Sequence, residues 1–197
     1  MDKKRIKVIF LDIDGVLNGN NIVIKTMDEI ARKSKLVKFF WKRFDFFGTR
    51  TIKVFILSII THLSGAKIVL STSRRNNYFS DEISPNNIEL KRKLEAFRID
   101  VIDKTPDSIE KIRGEEIEEW LLSTNYEIES FVILDDEWHD IIGYFPDRVM
   151  PMTEISKEEI LEGKLGDARC GLRFKDIKKA LKILNTPNDF SYTKGFR

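Results

Sequence analysis

Asp12 and Asp14 stand one residue apart at the end of the apolar run Val8-Ile-Phe-Leu11, and Gly15 follows them. In an extended chain, residues i and i+2 project to the same side, so the two carboxylates address one point just beyond a strand end. Gly15 lets the chain turn away there at φ values that a side chain resists. Two anions held so close repel each other unless a cation lies between them. Mg²⁺ suits that position, because it takes a few carboxylates, keeps several waters and accepts phosphate oxygens. A plain Asp-Gly turn closing a strand has the same letters. An EF-hand calcium loop fits less well, since its glycine comes later and helices flank it.

Two further segments repeat the pattern of an apolar strand ending in polar groups. Phe131-Val-Ile-Leu134 runs into Asp135-Asp136, and Lys67-Ile-Val-Leu70 runs into Ser71-Thr72-Ser73-Arg74-Arg75. Hydroxyl donors and guanidinium groups are what a transferring phosphoryl group requires. If the three strands lie parallel and adjacent, their carboxyl ends line one crevice, which is where ligands bind in open α/β sheets.

The ordered set FLDIDGVLN, IVLSTSRR, KIRGEEIEEWL and FVILDD resembles the haloacid dehalogenase-like (HAD) superfamily of aspartyl-phosphate phosphohydrolases. It is most similar to the compact HAD domains of Swiss Army Knife RNA repair proteins. Lys104-Thr105-Pro106, Arg113-Gly114-Glu115-Glu116-Ile117 and Leu134-Asp135-Asp136 match that pattern in order. The second motif departs from it, reading Thr72-Ser73-Arg74 without a tryptophan. The resemblance covers roughly residues 5 to 184 and is weakest between Asn18 and Arg50.

The resemblance implies a doubly wound, Rossmann-like parallel sheet of the HAD type with a minimal cap, and a magnesium-dependent phosphatase. Asp12 would attack phosphorus as a nucleophile, and Asp14 would serve as acid and then base. Ser71 would hold a phosphoryl oxygen, with Thr72, Ser73, Arg74 and Lys104 as further substrate contacts. Arg113, at the start of a helix whose N-terminus adds positive potential, would neutralise the phosphoryl charge, with Lys104 as the alternative. Asp12, the backbone carbonyl of Asp14, Asp135 and Asp136 would form the magnesium site. Asp140 would stand just outside it.

The elements needed to position these groups can be read from hydrophobic periodicity. Ile52, Ile56, Ile59, Ile60 and Leu63 fall at helical spacing before Gly65, followed by a strand at Ile68 to Leu70. A helix from about Asn87 to Phe97 precedes a short strand at Val101-Ile102. Ile117, Trp120 and Leu121 mark another helix, with Trp120 in the core. Val149-Met150 is a last strand, and Ile177, Ala180, Leu181 and Leu184 define a terminal amphipathic helix. This alternation predicts an α/β parallel sheet. Residues 1–186 read as one domain with an insert at 18–50, and 187–197 as a tail.

With 197 residues, 42% hydrophobic and 34% charged, the chain can bury a core and does not have the composition of a disordered protein. A single cysteine, Cys170, excludes an internal disulfide and a cysteine-based zinc cluster, which makes a cytoplasmic location the default. The stretch from Ile52 to Leu70 is broken by Lys53, His62 and Lys67 and predicts no membrane span. His62 is expected on the solvent side of its helix and His139 outside the metal site. The acidic run from Asp107 to Glu129 reads as a solvated face.

For the substrate, the insert is too short for a large cap, and an open site admits bulky phosphates. Lys35, Lys38, Lys42, Arg43 and Arg50 alternate there with Phe39, Phe40, Trp41, Phe44, Phe46 and Phe47. Basic groups follow phosphates and aromatic faces stack bases, which favours a nucleic-acid end or nucleotide. The same aromatics could instead pack on the sheet with the lysines in water. A small-metabolite phosphatase, or a catalytically inactive HAD fold used as a binding module, would carry the same motifs. No obligate protein partner is indicated.

Overall fold

The computed structural model describes residues 4–18, 51–73, 75–80, 85–108, 110–152 and 171–188. Arg74, Cys170, most of the insert at 18–50 and residues 189–197 lie outside these, so the minimal cap and the basic-aromatic run from Lys35 to Arg50 do too. The described elements are β1 (Arg5–Leu11), α1 (Thr51–Ser64), β2 (Lys67–Leu70), α2 (Arg75–Tyr78), α3 (Pro85–Ala96), β3 (Val101–Lys104), α4 (Arg113–Ser123), β4 (Glu127–Asp135), β5 (Val149–Pro151) and α5 (Asp176–Leu184), with a 3₁₀ turn at Trp138–Asp140. The strands form one sheet in the order β3-β2-β1-β4-β5, and each neighbouring pair is parallel. Parallel neighbours need crossover connections, so helices cover both faces. This is the doubly wound α/β architecture that the strand and helix alternation predicts.

The central strands are apolar on both sides for that reason. Ile9 and Leu11 join Val132 and Leu134 in the core beneath α1, α3 and α5. Val8 and Phe10 join Phe131 and Ile133 in the core beneath α4 and the 3₁₀ turn. A register shift between Ile6 and Lys7 against β4 leaves Glu129 unmatched, which is how Ile128 and Phe131 reach the same face. Phe10 sits at the centre of the second core, its ring edge-on to Trp120 at 5.4 Å and to Phe131 at 5.7 Å. Trp120 donates its indole N–H to Asp103 at 2.8 Å.

α1 ends at the residue before Gly65, which has φ +71° and donates its N–H to the Thr61 carbonyl. The buried face of α1 differs from the one its isoleucines suggest. Ile52 and Leu63 are exposed, while Lys53, Ser58 and Thr61 are buried. Packing against α5 and the loop after β1 sets the face here, and those contacts are not encoded in periodicity. The acidic run also departs from a fully solvated face, since Glu116 and Glu118 are buried. Pro187 and Asn188, placed in the tail by sequence, are held to the body: the Pro187 carbonyl accepts from Arg148 and Asn188 N–H donates to Glu129. Among the described residues, no helix is long and apolar enough to cross a membrane.

Candidate active site

The sheet order reverses at β1, whose neighbours β2 and β4 are followed by connections running in opposite directions, and a crevice forms outside the strand ends at such a switch point. Backbone bonds continue past the ends of the strands and fix their spacing. Asp12 N–H donates to Leu134 O, Ser71 N–H to Leu11 O and Thr105 N–H to Leu70 O, at 3.0, 2.9 and 2.9 Å. The first residues after β1 and β2 and the last residue of β4 are therefore held side by side.

Asp12, Asp135 and Asp136 each place a carboxylate oxygen within 4.8 Å of the others. Asp12 and Asp135 are buried and Asp136 is half-buried. Gly15 is what allows this approach, because a Cβ there would lie 2.1 Å from the Asp136 side chain and its φ is +77°. The Asp14 carboxylate is half-buried and accepts from Asn18 Nδ2 at 2.6 Å, while Gly15 N–H donates to Asn18 Oδ1 at 2.7 Å. Asn18 closes the turn after β1, a role signalled only by its place four residues after Asp14.

Arg113 reaches the centre of this acidic group. Its Nη1 donates to Asp12 Oδ1 at 3.2 Å, lies 3.4 Å from Asp135 Oδ2 and donates to the Ser71 carbonyl. Lys104, the alternative base, instead donates from Nζ to Asn76 Oδ1 at 2.6 Å on the exposed edge of the sheet. Asp140 accepts from the Arg113 backbone N–H at 3.1 Å, so it caps the start of α4. His139 is exposed, with its ring stacked on Trp138 at 4.1 Å.

Thr72 is buried and its hydroxyl hydrogen-bonds Asp12. Ser73 is exposed beside it. The Ser71 hydroxyl is buried and has no hydrogen-bond partner among the described residues, which is costly unless something else occupies the site. Of the two arginines at the end of β2, Arg75 is committed elsewhere. Its guanidinium is buried against Thr72, Pro106, Asp107 and Glu116, an arrangement the sequence did not signal.

The acids strain against one another. Burial, then the charge of Asp135, push the Asp12 carboxyl up to about 8, against the opposing pull of Arg113 and the Thr72 hydroxyl. Burial raises Asp135 to about 7, and Asp136 is raised as well. Burial of Arg113 disfavours its charge, but Asp135 and Asp12 outweigh it and keep the guanidinium firmly protonated. A divalent cation would hold these three carboxylates ionised in place of protons. The donor set fits Mg²⁺, being all oxygen, and Asp135 Oδ2, though ion-paired with Arg113, is buried without a hydrogen-bond donor among the described residues.

The loop carrying Asp14 and Gly15 is pinned from α5's side of the fold. Leu172 N–H donates to Val16 O at 3.0 Å, and a Cβ on Gly171 would lie 2.7 Å from Gly15 O and 3.0 Å from the Lys53 amine. Lys53 is fully buried in this corner.

Residues 8–153 match the family described as the HAD domain in Swiss Army Knife RNA repair proteins. The chain belongs to this family. The matched span runs from within β1 past the end of β5, so the HAD domain includes β2 to β5, most of β1 and every acid and base placed in the site above. No curated protein matches the chain.

Proposed function

We propose that this HAD domain is a magnesium-dependent phosphomonoesterase that works through a phosphoryl group carried on Asp12. The observation that supports it most is the convergence of Asp12, Asp135 and Asp136 with Arg113 beside the unpartnered Ser71 hydroxyl. In this reading Asp12, the backbone carbonyl of Asp14, Asp135 and Asp136 would hold Mg²⁺, which would offset the negative charge of the phosphoryl oxygens and of the acids. An Asp12 oxygen forms a bond to phosphorus while the bond to the leaving oxygen breaks, and Asp14 gives that oxygen its proton. Asp14, now a base, takes a proton from water as the water oxygen bonds to phosphorus. The bond to Asp12 then breaks, releasing phosphate. Ser71 donates to a phosphoryl oxygen and Arg113 offsets charge that grows in the transition state.

The substrate we propose is a terminal phosphate on a nucleic acid, or a nucleotide. The family's association with RNA repair supports it, as does the alternation of basic and aromatic residues from Lys35 to Arg50. A panel of 3′- and 5′-phosphorylated oligonucleotides, nucleotides and sugar phosphates in Mg²⁺ tests it. Faster turnover of an oligonucleotide end is expected. Preference for a sugar phosphate would move the substrate to small metabolites, and no turnover of any member would leave a binding module.

A further inference from the structure

We propose that Arg75 is a positioning residue that, through Glu116, sets the Arg113 guanidinium relative to the turn after β2 that carries the Ser71 and Thr72 hydroxyls. The proposal rests on the phosphatase reading above and explains how its basic and hydroxyl halves stay aligned. The Arg75 side chain is 4% exposed and that of Glu116 7%. Nη1 of Arg75 donates to the Thr72 carbonyl at 3.0 Å. Nη2 donates to Glu116 Oε1 at 2.6 Å, to Pro106 O at 2.9 Å and to Asp107 Oδ1 at 2.9 Å. One planar group thus ties together the turn after β2, the turn after β3 and the first turn of α4. Glu116 follows Arg113 by three residues and so shares its side of the helix.

The residues between them act in the same sense. Gly114 lets α4 press onto the segment after β4, since a Cβ there would lie 2.5 Å from the Tyr144 ring and 2.7 Å from Asp140 O. Glu115 accepts from Tyr144 Oη at 3.2 Å and from Ile112 N–H at 3.3 Å. Of Arg113-Gly-Glu-Glu116, only Arg113 enters the site, and the other three hold its helix from two sides. A buried ion pair is a poor source of stability against a well-packed apolar pair. Its planar fork, however, fixes direction as well as distance, and displacements near 1 Å are enough to cost about a hundredfold in rate.

The test compares Arg75→Lys, Glu116→Gln and, as control, Asp107→Asn, all well below their melting temperatures in Mg²⁺. Arg75→Lys keeps the charge, but an ammonium in place of the guanidinium fork cannot reach all four acceptors. Turnover of an aryl phosphate should fall about 10- to 100-fold with KM within about threefold. Glu116→Gln should fall less, and Asp107→Asn, which keeps an Oδ1 to accept from Arg75 and removes only a half-exposed charge, should match wild type. Hydrogen exchange of the substrate-free protein gives a readout independent of catalysis. In Glu116→Gln, and equally if Arg75→Lys fails to fold, amides around Thr72 and in the first turn of α4 should exchange faster together, with no change in Asp107→Asn. Wild-type turnover in folded Arg75→Lys and Glu116→Gln, or unchanged exchange in both regions, would overturn the proposal. A wild-type protein without phosphatase activity would instead refute the proposed function, while exchange would still decide the clamp.

Discussion

Arg113→Met removes the one guanidinium among the described residues that lies against both Asp12 and Asp135, whose side chains are 8% and 1% exposed. The cost should depend on pH. Below about pH 6 both acids hold protons, because their folded pKa values are near 8 and 7, and the substitution forfeits little more than hydrogen bonds worth about 1 kcal/mol. At pH 9 both are charged, and leaving them without a partner should cost about 3 to 5 kcal/mol. For a chain of this size each kcal/mol shifts the melting temperature by about 2 to 4 °C. The expected losses in chelator are therefore about 2 to 4 °C at pH 6 and about 6 to 20 °C at pH 9. Wild type should show the same sign more weakly. Its unfolded chain releases these protons near 3.8 and its folded state near 7 to 8, so stability falls as pH rises between those values. Saturating Mg²⁺ should restore much of the alkaline loss in the variant but not its turnover, which should drop by about 10² to 10³. Thermal melts by circular dichroism at the two pH values, with and without Mg²⁺, measure this. Equal losses at pH 6 and pH 9, or a variant with normal turnover, would refute the reasoning.

Three other outcomes follow from the same geometry. Gly15→Ala should cost about 1 to 2 kcal/mol for its left-handed backbone alone, and by displacing Asp136 should weaken Mg²⁺ binding in calorimetry; unchanged affinity would contradict the contact. Ser71→Ala should leave the melting temperature within about 2 to 4 °C of wild type, because the hydroxyl has no partner to lose, yet lower kcat/KM by about 10² or more; normal kcat/KM would remove Ser71 from the phosphoryl site. Neutralising Lys38, Lys42 and Arg43 should flatten the salt dependence of oligonucleotide binding and spare aryl phosphate turnover, and an unchanged slope in a binding titration would exclude the insert from the nucleic-acid path.

The site was legible in sequence where chemistry sits at strand ends. Asp12, Ser71 and Asp135 follow or close apolar runs, and parallel pairing alone brings them together. Arg113 could be read because it opens a helix in a recognisable motif. Arg75 and Glu116 could not, since a buried arginine looks like any other charged residue until its partners from the turn after β3 and from α4 are known. The burial of Lys53 was hidden for a related reason: it depends on Gly171 and the loop at Gly15, which lie far apart along the chain. The strands of the sheet were visible as apolar runs, but β4 extends earlier than its apolar part because Glu127, Ile128 and Ser130 pair with Arg5, Ile6 and Lys7.

The central claim is that Asp12 carries the phosphoryl group, and its most direct test is to quench the enzyme with acid during turnover of an aryl phosphate in Mg²⁺ and map the modified peptide by mass spectrometry. The account predicts one phosphoryl group on the peptide containing Asp12, lost in chelator and absent, together with turnover, in Asp12→Asn. An Asp12→Asn protein that hydrolyses the substrate at the wild-type rate would contradict it.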